Sequence, residues 1–324
     1  MSGLRKNIYI CNMISAKLEN VLHLFNDEKK KKDVDLVLST GGARGLAHIG
    51  AILQLEEMGY HIRSIAGASM GALVGGLYAA GGLGDFRDWM KTIDKKKIHQ
   101  LYDFSFSLNH IVKGDRIMKA LNQVVPDRNI EDLSIPFCAV AADAVSGKEI
   151  IFRKGSMYKA IRASISIPVF FNPVRQGERM YLDGGLVNPL PLNRVKRDKK
   201  ALLVAVDVSG HDYKGEIMMN QLIKQRNIDH SFALAVLNKM LPHGMDLDLN
   251  YVSLLNRTYS IMIHQNTKLA LKVTPPDIYV EIPMSRYSTF DFDKSERLIA
   301  IGKTKTRKMV EHFLDSGKTQ IESA

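Results

Sequence analysis

The chain has little cysteine: Cys11 and Cys138 are the only two in 324 residues. Neither has a Cys or His at metal-ligand spacing. A disulfide framework is therefore not what holds the fold, and a reducing cytoplasm is the predicted setting. No run of ~18 apolar residues occurs, so no membrane-spanning helix is predicted. The N-terminal apolar patch Ile8 to Ile14 follows Arg5 and Lys6, is broken by Asn12, and leads to no small-residue cleavage site. It reads as a surface helix or arm, not a signal peptide. The phosphate-loop pattern G-x-x-x-x-G-K-[ST] is missing. Gly302-Lys303-Thr304 and Gly317-Lys318-Thr319 have Arg297 and His312 where the leading glycine must stand. The dinucleotide pattern G-x-G-x-x-G fails as well, because Thr40 occupies its first position. There is no internal repeat. No basic helix with interleaved aromatics supports nucleic acid as a partner.

What the chain does have is apolar mass and positive charge. Apolar residues make up 45%, enough for a substantial core. The length suits one large α/β domain or two modest ones. The formal net charge of +11 suits an anionic partner such as a membrane surface. Lys29-Lys30-Lys31-Lys32 closes an N-terminal extension over residues 1–33. This run is either a solvated linker or an attraction to anionic headgroups worth about 1 kcal/mol per Lys.

Val34 to Ser39 predicts a buried strand, followed by a Gly-rich loop from Thr40 to Gly45. Leu46, Ile49 and Leu53 recur at helical spacing, with Gly59 placed to end that helix. His61 to Ala66 predicts the next strand. Strand–helix–strand–helix order implies a mainly parallel sheet with helices on its faces. Asp115 is placed to cap a helix carrying Ile117, Leu121 and Val124. Phe137 to Ala142, Glu149 to Phe152, Leu202 to Val208 and Tyr279 to Ile282 predict further strands, and residues 295–314 a closing helix. The stretch from about 210 to 273 is Met- and Leu-rich and predicts a helical covering region or lid. The domain would then span 34–315, with a short tail at 316–324.

The chemistry centres on Gly67-Ala68-Ser69-Met70-Gly71, between a strand-like and a helix-like run. This is the strand–turn–helix context of a G-x-S-x-G nucleophile elbow. Flanking glycines permit a sharp turn, and the following helix aims its positive dipole end at any oxyanion. A serine hydroxyl also needs a base and oxyanion donors. Gly41-Gly42-Ala43-Arg44-Gly45 can converge backbone N–H groups on one oxygen. Asp183, in Met180-Tyr181-Leu182-Asp183-Gly184-Gly185, is the base candidate, although an Asp-Gly turn is its blander reading. Ala163-Ser164-Ile165-Ser166-Ile167-Pro168 suits a cleft wall. His211, His230, His243 and His264 leave a Ser–Asp–His triad as an alternative, with His211 the best placed. His48 reads as a helix residue packed near the loop, and Asp143 and Asp207 as structural strand ends. Ile217-Met218-Met219, Met240-Leu241 and Met245 form either an adaptable apolar mouth or ordinary packing.

Three strings in this order, V-L-S-T-G-G-A-R-G-L-A-H-I-G, G-A-S-M-G and D-G-G, with A-S-I-S-I-P before the last, resemble the patatin-like phospholipase family over roughly residues 34–210. The resemblance implies a three-layer α/β/α fold with a mainly parallel central sheet and a helical C-terminal elaboration. It implies a Ser–Asp dyad instead of a triad, with Ser69 as nucleophile, Asp183 as base, and the Gly41 to Gly45 backbone as oxyanion hole. Arg44 would support that loop or meet a headgroup phosphate. The implied activity is a serine acyl hydrolase on phospholipid or lysophospholipid esters. It needs neither metal nor cofactor, and the protein would be cytoplasmic with peripheral contact at an anionic membrane. No oligomeric state is implied. A soluble carboxylesterase or thioesterase uses the same nucleophile. A lipid-binding protein with a weakened site is the other alternative, raised by Thr40: the family loop usually begins with a glycine there. Thr resists a positive φ, which predicts a stiffer or shifted loop.

Overall fold

The computed structural model describes residues 33–322 apart from 95, 99–103, 108–109, 113, 169, 211–248, 284–286, 288 and 290. In chain order, β1 (Asp33–Leu38), α1 (Ala47–Glu57), β2 (His61–Ala68), α2 (Met70–Ala79) and α3 (Leu83–Lys91) come first. A hairpin of β3 (Phe104–Ser107) and β4 (His110–Val112) follows, then α4 (Asp115–Val124), β5 (Phe137–Asp143), β6 (Glu149–Phe152) and α5 (Met157–Ser164). The remainder is β7 (Val174–Gln176), β8 (Arg179–Asp183), β9 (Leu202–Asp207), α6 (Leu249–Val273), β10 (Ile278–Glu281) and α7 (Ser295–Glu322).

Strand β1 explains the layering. From Val34 onward it is wholly buried, and alternate side chains point to opposite faces. Leu36 and Leu38 enter the larger core cluster while Val37 enters the smaller. Strand β9 does the same, with Val204 and Val206 on one face and Leu203 and Ala205 on the other. A strand apolar on both sides must be covered on both sides. Helices α1, α2 and α7 cover one face. Leu190, Leu192, Val195 and the end of α6 cover the other. The result is a three-layer α/β/α arrangement.

The sheet order is β10-β9-β1-β2-β5-β8-β7, with β6 also on β5. Pairings among β10, β9, β1, β2 and β5 are parallel. Those of β5 with β6 and β8, and of β7 with β8, are antiparallel. The loops after β1 and β2 thus leave the carboxyl edge of the parallel strands, where open α/β sheets hold ligands. Asp183 ends β8 opposite Ala141.

The predicted strands all form within one or two residues of their expected ends. Gly59 stands at φ +80 just beyond α1, as a left-handed helix end requires. Asp115 is not a cap. Gly114 caps α4 at φ +78, and Asp115 is already its first helical residue. Glycine reaches that left-handed geometry without a Cβ penalty, and the predicted capping signal was one residue out of step. The closing helix extends past 314 to Glu322. The hairpin β3–β4, strand β7 and helix α5, capped by Ser156, carried no expectation.

Candidate active site

Ser69 sits between the last residue of β2 and the first of α2, at φ 54 and ψ −120. It is the one non-glycine residue at positive φ among those described. Such a conformation costs on the order of 1–3 kcal/mol and persists only where its surroundings enforce it. Here backbone packs on backbone. A Cβ on Gly67 would lie 2.4 Å from the Gly71 carbonyl carbon, and one on Gly71 would lie 2.2 Å from the Leu38 carbonyl oxygen. The two glycines let α2 start against the end of β1. The Ser69 amide donates to Ser164 Oγ at 2.8 Å, and that hydroxyl donates to the Val140 carbonyl at 2.6 Å. Ser164 therefore ties the turn to β5.

The Ser69 hydroxyl donates to Asp183 Oδ2 at 2.6 Å, and both side chains are buried. Asp183 Oδ1 receives the Gly185 amide at 2.7 Å and the Tyr259 phenol at 2.9 Å. Gly184 turns the chain hard against β5, where a Cβ would lie 2.1 Å from the Val140 carbonyl oxygen. Burial pushes the Asp183 carboxyl up to about 6, while the three donors hold it down. At neutral pH it is a carboxylate able to accept the Ser69 proton. Ser69 and Asp183 meet with no histidine between them. Of the alternative bases, His211, His230 and His243 lie outside the described residues, and His264 is on α6.

The Gly-rich loop forms a short 3-10 turn from Gly42 to Leu46 leading into α1. Gly42 takes φ +57 and lines the cavity beside Ser69. The Ala43 amide donates to the Thr289 carbonyl at 2.8 Å. Arg44 Nε donates to the Gly41 carbonyl at 3.0 Å and braces the loop from within. Gly45 packs against Met70, at the start of α2. Thr40 keeps an ordinary backbone, for its φ is not positive. Its amide donates to the Pro189 carbonyl, and its hydroxyl lies beside Gly185 together with the Tyr259 phenol.

Ser69 opens on a nearly all-apolar cavity of about 100 Å³, room for several methylene groups. Met70 and Leu73 of α2, Phe86, Trp89 and Met90 of α3, and Ile117 and Leu121 of α4 form its walls. Ile165, Ile167 and Phe171 line it as well. The A-S-I-S-I-P stretch thus contributes both to the wall and, through Ser164, to the turn.

His48 is fully buried on α1, and its Nε2–H donates to the Ser39 carbonyl at 2.9 Å. Burial pushes its pKa down to about 4, so it is neutral. Asp143 and Asp207 serve turns. Asp143 accepts from Ser146 Oγ at 2.7 Å, and Asp207 accepts from the Ser209 amide at 2.8 Å and the Tyr279 phenol at 2.8 Å. The Lys29–Lys32 run and the Met218, Met219, Met240 and Met245 positions lie outside the described residues. Tyr259 was not anticipated. A tyrosine inside a helical pattern looks like packing, and only the docking of α6 on the Asp183 turn distinguishes it. Among the described residues, no helix is long and apolar enough to cross a membrane.

The sequence model that defines patatin-like phospholipases matches residues 36–195. An uncharacterized NTE family protein of Mycobacterium tuberculosis is 31% identical over 330 residues, covering 86% of this chain and 92% of its own length. The lysophospholipase NTE1 of Candida glabrata is 27% identical over 293 residues, which is 88% of this chain and 16% of that much longer protein. Among solved structures, VipD from Legionella pneumophila matches with a TM-score of 0.43 at 15% identity, over 88% of this chain and 67% of its own.

Proposed function

The chain belongs to the patatin-like phospholipase family, and from that premise we propose that it is a metal-independent serine acyl hydrolase cleaving carboxylic esters of phospholipids or lysophospholipids. The observation that carries this reading is the 2.6 Å hydrogen bond from Ser69 Oγ to a buried carboxylate at the edge of an apolar cavity.

In this reading Asp183 accepts the hydroxyl proton as Ser69 Oγ attacks the ester carbonyl. The tetrahedral oxyanion is held by backbone amides of the 41–45 loop, each such donor being worth about 3 kcal/mol at the transition state. Collapse breaks the ester bond, and the leaving alcohol takes the proton from Asp183. The acyl group stays on Ser69, its chain in the cavity. Water then attacks and Asp183 takes its proton; the fatty acid leaves as the acyl–oxygen bond breaks and Asp183 returns the proton to Ser69 Oγ. The Ala43 amide already serves the Thr289 carbonyl. It can serve a substrate oxyanion only by exchanging one acceptor for another. The lysophospholipase name of the Candida relative supports the choice of substrate. The apolar walls support it independently, because a saturated chain gains on the order of 0.8 kcal/mol per buried methylene.

The test is hydrolysis of a p-nitrophenyl ester, a lysophospholipid and a micellar diacyl phospholipid in EDTA, by wild type and Ser69→Ala. Turnover lost with Ser69→Ala, and greatest on the lipids, is the expected result. Equal or better turnover of the short ester would point to a soluble esterase. A folded protein inert on all three and unreactive toward a serine-directed probe would overturn the hydrolase reading.

A further inference from the structure

The far oxygen of the Asp183 carboxylate is held by a side chain from another layer of the fold. Tyr259 reaches from α6 to donate to Oδ1 at 2.9 Å, beside the Gly185 amide at 2.7 Å. Among the described residues, Oδ2 is left to Ser69 alone at 2.6 Å. The Thr40 hydroxyl stands at the same place as the Tyr259 phenol and works against the upward shift of its ionisation. A Cβ on Gly185 would lie 2.8 Å from Tyr259 Oη, 2.9 Å from Asp183 Oδ1 and 3.0 Å from Thr40 Oγ1. The three oxygens therefore converge on one point, and only glycine leaves it open.

We propose that Tyr259 is a positioning residue for the base, and that Thr40 positions Tyr259, so that a line of polar groups from Thr40 through Tyr259 and Asp183 ends on the nucleophile. The inference rests on the reading of Ser69 and Asp183 as nucleophile and base. Two donors on Oδ1 fix the rotation of the carboxylate, which presents Oδ2 to Ser69. Hydrogen bonds to the charged form also hold a buried carboxylate ionised. The phenol is suited to donate, because burial first and Asp183 second push its own ionisation well above the ordinary range. Among the described residues, Tyr259 is the titratable group bonded to Asp183, and Arg44 is the cation whose charge reaches that phenol. Thr40 then has a purpose that glycine cannot supply, a hydroxyl for the phenol.

The test is the rate at which a fluorophosphonate labels Ser69 as a function of pH, which requires no knowledge of the substrate. Wild type, Ser69→Ala, Tyr259→Phe, Thr40→Val and Thr40→Ser are compared, with thermal melts as folding controls. Tyr259→Phe should label roughly 10-fold more slowly, with the acidic limb moved up by about one pH unit. Thr40→Val should move the limb the same way by less, and Thr40→Ser should match wild type. The double variant Tyr259→Phe/Thr40→Val should be no slower than Tyr259→Phe alone. A folded Tyr259→Phe with wild-type rate and limb overturns the proposal. Should Tyr259→Phe fail to fold, an unmoved limb in Thr40→Val overturns it equally. Wild type that resists labelling, or Ser69→Ala that still labels, instead removes the reading of Ser69 on which the inference stands.

Discussion

The Ser69 hydroxyl donates to Asp183 Oδ2 at 2.6 Å although 114 residues separate the two in the chain. With Asp183 as base, activity requires its ionised form. Its carboxyl is pushed up to about 6 by burial, so kcat/KM should rise through that pH and level off above it. Asp183→Asn cannot take the proton and should lower kcat/KM by on the order of 10³-fold. A pH-rate profile of both proteins checks this, and a limb near 4 would contradict the buried base.

The same shift has a cost in stability, with a definite sign. The folded carboxyl titrates near 6, against 3.8 for an ordinary aspartate. The folded state therefore holds the proton more tightly, and its stability falls as pH rises from about 4 to about 6. The loss is about 3 kcal/mol at one pKa unit per 1.36 kcal/mol. Asp183→Asn should accordingly melt higher than wild type at pH 8, with the advantage gone near pH 4. Paired melts at the two pH values read it, and a variant less stable than wild type at pH 8 would count against the burial argument.

Gly71 and Gly84 should respond oppositely to the same substitution. A Cβ at Gly71 would strike the Leu38 and Ser39 carbonyls, whereas one at Gly84 meets nothing within 4 Å. Gly71→Ala should destabilise by about 3 kcal/mol or more, since backbone cannot swing aside. Gly84→Ala should be neutral or stabilise by up to about 1 kcal/mol. Urea unfolding of both variants separates the cases.

Ile117 lines the cavity from α4 and is only half-buried, so a larger side chain there can be accommodated. Ile117→Trp should shift the preferred acyl group to shorter chains, by roughly 10-fold in the ratio of kcat/KM for a short over a long chain. A series of p-nitrophenyl esters of increasing chain length measures that ratio. An unchanged preference would mean that the acyl chain lies elsewhere.

The parts legible in the sequence were those written in local patterns. The strands β1, β2, β5 and β9 are short apolar runs with turn residues at their ends, and the structure forms each of them. The pairing of Ser69 with Asp183 was nominated by G-x-S-x-G and D-G-G, two motifs whose glycines record close backbone approach. In the sequence Thr40 is only a departure from the family loop, because the phenol beside it belongs to Tyr259, more than two hundred residues away. Tyr259 and the Thr289 carbonyl at Ala43 left no local trace, since each is defined by what docks against it. Capping at α4 was misplaced by one residue because glycine and aspartate both signal helix starts.

The glycine contacts around the elbow bear on how the protein folds. Gly71 abuts the end of β1, Ser164 joins the elbow to β5, and Gly184 abuts β5 from β8. The surroundings of Ser69 therefore do not exist until four strands distant in sequence have registered. Such non-local pairings form late, because their loop-closure entropy is lost before the contacts repay it. During refolding, helical signal should recover ahead of esterase activity, and the lag between them would time the closure of the sheet.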